Sequence, residues 1–388
     1  MGYKTYDCPV SRSCGGCEWL AVPYPIQLKR KQEYVEDCFG GMLDGVDVQP
    51  VIGIGEPVRF RNKVIVAFRT GKGGSIRYGL YARGSHRLVE REDCLVEHGA
   101  AAPLLATIAR LARSFKLKPY DEKTGSGFLR YALIRIARGT GQVLVCLVCN
   151  GDELRGSRAF VKELRKAHPE VETVVLNVNK RSTNVVLGER EQVLFGTGWI
   201  EEELLGCRFR ISSQSFFQVN PLQTEKLYAS AIEMAALSGS ETIVDAYCGT
   251  GTIGLLAARN AGTLIGIEEN KQAVRDARAN AKRNKIANAT FIAADAGAHL
   301  RELAASHKKV DAVFMDPPRS GSDERFLEAL ATLAPKRIVY ISCNPETQAR
   351  DVGMLAKRGY RLRELQPVDM FPHTKHVECV ALLSRGKR

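Results

Sequence analysis

Beyond about Arg210 the chain alternates strand and helix without a break. That order leaves a parallel, doubly wound sheet as the architecture for the second half. Its first strand runs into a glycine-rich turn and a helix start, Thr242-Ile-Val-Asp245-Ala-Tyr247-Cys248-Gly249-Thr-Gly251-Thr-Ile-Gly254. Turns of this kind let the backbone approach a ligand at the carboxyl edge of the sheet. The next strand, Leu264–Ile267, ends in Glu268, placed to accept ribose hydroxyls, and Ala289–Ala293 is followed by Asp295, placed to meet an adenine amino group. The fingerprint fits an adenosyl cofactor and does not choose between a nicotinamide dinucleotide and S-adenosylmethionine.

The later strand ends narrow the choice. Strand Val310–Met315 ends in Asp316-Pro317-Pro318-Arg319, a carboxylate on a strand tip followed by a rigid extended loop. Nicotinamide enzymes have no particular use for that tetrapeptide. Amine methyltransferases place an aromatic after the two prolines, where this chain has Arg319. Strand Arg337–Ile341 ends in Ser342-Cys343-Asn344-Pro345 before a helix start, so Cys343 is expected to be an ionised thiol. The plain alternative for Cys343 is a buried structural thiol. The segment Met370-Phe-Pro372-His373-Thr-Lys-His376-Val-Glu378 brings two imidazoles and a carboxylate to the same edge.

The first 208 residues read differently. Helices Ile26–Phe39, Ala101–Lys116 and Glu153–Ala167 alternate with strands Leu129–Arg138, Gln142–Cys149, Thr173–Val178 and Thr183–Leu187, an α+β pattern with antiparallel turns. Two domains are expected, 1–208 and 209–388. Of the net charge of +13, much is concentrated between Val58 and Arg91, where nine basic residues face a single acid, Glu90. Phe60, Phe68, Tyr78 and Tyr81 are interleaved with them, and the stretch reads as a β-hairpin offering phosphate contacts and base stacking to a nucleic acid. A merely solvated face is the competing reading. Cys8-x5-Cys14-Gly-Gly-Cys17, with Cys94 after the hairpin, supplies four thiols suited to tetrahedral zinc or to a [4Fe–4S] cluster. Cys146 and Cys149 are at an odd offset in an apolar strand and point to opposite faces, so they cannot share an ion. Cys38 and Cys207 read as packed side chains. No apolar run approaches a membrane-spanning length, and Met1–Ser13 lacks a signal-peptide core, so a cytoplasmic protein is expected.

Taken together, Phe-Phe-Gln-Val-Asn (Phe216–Asn220), Asp-Ala-Tyr-Cys-Gly-Thr-Gly, Asp-Pro-Pro-Arg, Ser-Cys-Asn-Pro and Pro-His-Thr-x-His-x-Glu resemble the iron–sulfur RNA uracil-C5 methyltransferase family. The resemblance covers nearly the whole chain, and the cysteine pattern is that of its ribosomal-RNA members. It implies a Rossmann-like methyltransferase domain behind an α+β RNA-binding domain with a cysteine-ligated cluster. It also implies S-adenosylmethionine contacts from Gln218, Tyr247, Thr252, Glu268, Asp295 and Asp316, with Thr252 standing where an Asn is common. By the same resemblance Cys8, Cys14, Cys17 and Cys94 hold a [4Fe–4S] cluster, and the substrate is large-subunit (23S) ribosomal RNA, with no DNA or membrane partner. Some members carry a β-barrel RNA-binding module ahead of the cysteines, whereas this chain begins directly at them.

The chemistry can be built from the residues. Uracil C5 is a poor nucleophile, and attack of Cys343 on C6 turns the ring into an enolate able to accept a methyl group. Glu378 is the carboxylate available to remove the C5 proton, with His373 and His376 as other bases or relays. A base buried in a duplex cannot present C6, so the uridine must be flipped or single-stranded. The rivals are a tRNA substrate, a non-catalytic iron–sulfur RNA-binding protein and a nicotinamide oxidoreductase.

Overall fold

The computed structural model describes residues 4–386. The second half supplies seven strands of an eight-stranded sheet, and Asp47–Val48 from the first half adds the eighth at one edge. The spatial order of the sheet is Asp47–Val48, Tyr360–Val368, Glu378–Arg385, Arg337–Ser342, Ala312–Met315, Thr242–Ala246, Thr263–Glu268 and Ala289–Ala293. All neighbouring pairs are parallel except those made by Glu378–Arg385, which runs against both of its neighbours. The strands read as near-continuous apolar runs because both faces are covered. Val244, Val313, Ile338 and Ala381 pack into one core, and Ile243, Phe314, Val339 and Val380 into the other.

The first sheet has seven strands, in the order Leu88–Glu90, Ile76–Tyr81, Lys63–Thr70, Leu129–Ile136, Val143–Cys149, Val171–Val178 and Arg190–Phe195. It is antiparallel except where helix Ser157–Ala167 carries the chain across from Val143–Cys149 to its parallel neighbour Val171–Val178. Cys146 and Cys149 do enter different cores, as their odd offset requires. Thr183–Leu187 is not a strand. The pairing with Val171–Val178 is made instead by Arg190–Phe195, and the Asn179 amide holds the preceding loop through the carbonyls of Val185 and Val186. A hairpin of Trp199–Leu204 and Cys207–Ser212, not foreseen in the sequence, lies between the sheets, and the position 208/209 falls within it.

Helix Tyr24–Phe39 packs against the C-terminal sheet. Pro25 stands in its first turn, where a missing N–H costs nothing, and its buried face has a period of four: Gln27, Lys31, Val35 and Phe39. Val35 and Phe39 enter the apolar core. Gln27 and Lys31 instead reach the loop leading to Glu378. Among the described residues no helix is long and apolar enough to cross a membrane.

Candidate active site

The glycine-rich turn is held rigid from below. Buried Asp245 accepts a hydrogen bond from Gly254 N at 2.8 Å, and a Cβ on Gly254 would sit 2.7 Å from that carboxylate oxygen, so no side chain fits there. Tyr247 adopts a left-handed φ of 65° at the strand end, which turns its ring onto Phe326, 5.0 Å between centroids. Glu268 accepts from Gly249 N at 3.1 Å and from Asn270 N at 2.8 Å, so its position is set by the two loops it joins. Asp295 caps helix Ala296–Ala305 with one oxygen, 2.7 Å from Ala298 N.

A cavity of about 1080 Å³ opens over this edge, and Gln218, Tyr247, Glu268, Asp295, Asp316, Cys343 and Glu378 all line it. Thr252 does not. It begins helix Thr252–Ala258 with its hydroxyl 3.3 Å from that of Thr250. Gly15, Gly16 and Glu18 of the cysteine loop and Arg61 of the basic hairpin close the rim. The loops that carry Asp316 and Cys343 are tied to each other, since Asn344 Nδ2 and Thr347 Oγ1 both donate to Arg319 O at 3.2 Å.

The electrostatics of the cavity are set by burial. Asp316 is pushed up to about 7, and Glu378 to about 8 by burial and then by Asp316 beside it. The expected standing thiolate at Cys343 is not what the site makes. Burial, then Glu378 and Asp316, raise the thiol to about 11, and Arg319 only partly opposes them. The helix starting at Pro345 does not offset two carboxylates in a desolvated pocket.

The two histidines separate. His373 is sealed in the interior. Its Nε2–H donates to Pro57 O at 2.8 Å, which leaves Nδ1 to accept from Gln27 Nε2 at 3.2 Å, and burial lowers its pKa. Neither nitrogen is left for a proton relay. His376 lines the cavity, its pKa lowered by burial and by Arg319.

Tyr228, on helix Pro221–Ala235, was not foreseen in the sequence. Its buried hydroxyl lies among Gln218, Asp316, Glu378 and Asp245; burial, then the three carboxylates, push its pKa far up. Nothing distinguishes it in the sequence from an ordinary core aromatic at helical spacing. Phe216, 75% exposed on the rim, is visible only as half of Phe-Phe.

The cysteine loop and hairpin adjoin. Cys17 is raised to about 12 by burial and then by Cys94, Cys14 and Cys8, so all four thiols share one neighbourhood. As arranged, however, no three Cys, His, Asp or Glu side chains among the described residues converge closely enough to hold a metal ion. On the hairpin, Phe60 and Phe68 are buried core residues rather than a stacking surface. Four of the nine cations are neutralised by carboxylates: Arg59 by Asp93, Arg77 by Glu90, Arg83 by Glu18 and Arg91 by Glu97. Arg61 and Lys63 have no such partner among the described residues. Lys63 is lowered to about 8 by burial, then by Arg135 and Arg61.

The model of the tRNA (uracil-5-)-methyltransferase family matches residues 160–386. The chain belongs to that family. It is an S-adenosylmethionine-dependent RNA methyltransferase. Curated relatives include RNA methyltransferases, named as uncharacterized, of Halalkalibacterium halodurans (40% identical, 97% of this chain and 82% of the relative) and Clostridium acetobutylicum (38%, 97% and 83%). Among solved structures, the Pyrococcus abyssi tRNA (uracil-54, C5)-methyltransferase in complex with S-adenosyl-L-homocysteine aligns with a TM-score of 0.79 at 30% identity, over 95% of this methyltransferase and 86% of that chain.

Proposed function

We propose that this methyltransferase forms 5-methyluridine in large-subunit ribosomal RNA through a covalent bond between Cys343 and uracil C6. The observation that carries the chemistry is that Cys343, Glu378 and Asp316 share one cavity with Gln218, Tyr247, Glu268 and Asp295. Those last four, with Asp316, are the proposed holders of S-adenosylmethionine, and Thr252 would act only through the turn it begins. S-adenosylmethionine supplies an electrophilic methyl group on a sulfonium.

Cys343 Sγ bonds to C6 and its proton passes to uracil O4, since the raised thiol is not ionised beforehand; the resulting enol gives that proton up to solvent when C5 is methylated. The displaced ring electrons make C5 nucleophilic, and C5 takes the methyl group. Glu378 then accepts the C5 proton, the C5–C6 double bond re-forms and the thiolate departs. Buried Tyr228 stands behind this cavity wall, its hydroxyl within the electrostatic reach of both carboxylates.

Cys8, Cys14, Cys17 and Cys94 are the proposed ligands of a [4Fe–4S] cluster. Their donor chemistry and shared neighbourhood support this reading, although the thiols must draw together to bind one. With four thiolate ligands its part would be structural, fixing the Gly15–Gly16 rim to the hairpin. The cysteine pattern is also what favours ribosomal RNA. The second reading, a tRNA substrate, is favoured by likeness to the Pyrococcus abyssi enzyme. Mass spectrometry of nuclease digests decides between them: 5-methyluridine appearing in ribosomal RNA but not in tRNA supports the first, and the reverse result the second.

A further inference from the structure

A second hollow, of about 420 Å³, opens on the other side of the nucleophile. It shares Cys343, Arg319 and His376 with the main cavity and adds Trp19, Arg30, Tyr34 and Lys375. A strand that presents a base to Cys343 can continue past this opening, since both hollows meet at that residue.

The walls are of two kinds. Trp19 and Tyr34 supply aromatic surface, the first with its main chain anchored and the second held through its hydroxyl. Trp19 N donates to His373 O at 2.9 Å and its carbonyl accepts from Gln27 Nε2 at 3.0 Å, while Tyr34 OH donates to Glu346 Oε1 at 3.1 Å. Arg30 lies 5.7 Å from the Trp19 ring centroid. Arg30, Lys375 and Arg319 are exposed, and none has a carboxylate partner among the described residues. Glu346, the one acid in the lining, is engaged with Tyr34. Aromatic faces beside free cations are the recurring chemistry of single-stranded nucleic acid sites, where bases stack and phosphates pair with charge.

We propose that this hollow receives the nucleotide adjoining the target uridine, its base stacked on Trp19 and its phosphate paired with Arg30 and Lys375. The inference rests on the RNA uracil reading and adds a specificity-determining contact to it. Trp19 stands two residues after Cys17, so the cysteine loop would present the stacking ring as well as the cavity rim.

The test is a coupling cycle on KM for methylation of short single-stranded RNAs with one central uridine, each carrying an abasic residue on its 5′ or 3′ side. An abasic residue on one side only should raise the wild-type KM about tenfold, the scale of one lost stacking contact. Trp19→Ala should raise KM for the intact strand by a similar factor and show no further penalty for the abasic one, whereas Trp19→Phe should keep the wild-type pattern. Penalties that multiply in Trp19→Ala, or an intact-strand KM that Trp19→Ala leaves unchanged, would overturn the subsite while leaving C5 methylation standing. Wild-type protein that methylates no uridine in any RNA would remove the functional reading and this subsite with it.

Discussion

Lys31 Nζ lies 2.5 Å from Asp369 Oδ1, with both side chains fully buried and the two residues 338 positions apart in the chain. The same Lys31 ammonium donates to Phe371 O at 3.1 Å, and Tyr24 OH donates to Asp369 Oδ2 at 2.7 Å. The N-terminal helix therefore fastens the start of the loop that carries His376 and Glu378. Burial pulls the lysine pKa down while Asp369 holds it up. Removing one partner leaves an uncompensated charge in the core, at a cost of about 3–5 kcal/mol. Lys31→Met should be destabilised by that amount in urea denaturation, and Lys31→Met with Asp369→Leu should recover most of it. A single mutant as stable as wild type would show that the pair contributes nothing.

Three desolvated carboxylates at this edge of the sheet, two in the cavity and one beneath the glycine-rich turn, set the pH response of stability. Asp245, Asp316 and Glu378 are raised to about 7, 7 and 8, so each binds its proton more tightly folded than unfolded. Their contribution is complete below the ordinary carboxylate range and is lost as pH rises through 7 to 8. Cofactor-free protein should melt at a lower temperature at pH 8 than at pH 5, and Glu378→Gln should narrow that gap by raising the pH 8 value. An unchanged gap in Glu378→Gln would contradict the buried, proton-retaining state of this residue.

The same shift bears on which group is the base. Release of tritium from RNA carrying [5-³H]uridine, measured in single turnovers, should rise through about pH 8 if Glu378 accepts the proton. His376 is held below the usual imidazole range. A limb there instead, retained in Glu378→Gln and lost in His376→Ala, would reassign the base.

Arg61 lines the rim and Lys63 stands two residues on, neither with a carboxylate partner among the described residues, whereas Arg59 is held by Asp93 and also donates to Cys94 O at 2.8 Å. Neutralising Arg61 and Lys63 together should flatten the salt dependence of RNA binding by about two phosphate contacts, alike for many sequences. Arg59→Gln should leave that slope nearly unchanged and loosen the Cys94 loop instead. Equal slopes for wild type and the Arg61/Lys63 double mutant would remove the hairpin from the RNA footprint.

Protein purified without oxygen should be brown, with iron and sulfide in near-equal amounts, and Cys94→Ser should lose both. Colourless protein with stoichiometric zinc would replace the cluster by a zinc site.

The methyltransferase half was largely legible in the sequence because most of the candidate groups stand at strand ends, where period and glycine placement both give their position. Glu268, Asp295, Asp316, Cys343 and Glu378 all reach one cavity. The rest depended on long-range contacts that leave no local pattern. Lys31 sits on a buried helix face where only an apolar residue would be expected. Tyr228 resembles any core aromatic, and Phe60 and Phe68 alternate with arginines yet point inward. The charge run concealed its own partners, since Asp93 and Glu97 lie just beyond its last cation, Arg91. For Cys343, proximity to a helix start suggested an ionised thiol, but desolvation and two neighbouring carboxylates outweigh it.

The central claim is that Cys343 attacks C6 and Glu378 releases the product, and denaturing electrophoresis of protein mixed with substrate RNA and S-adenosylmethionine tests it most directly. Glu378→Gln should accumulate a denaturant-resistant protein–RNA adduct carrying the transferred methyl group, because elimination has lost its base. The adduct should be absent from Cys343→Ala and from the double mutant. Methylation of C5 that persists in Cys343→Ala would contradict the covalent mechanism outright.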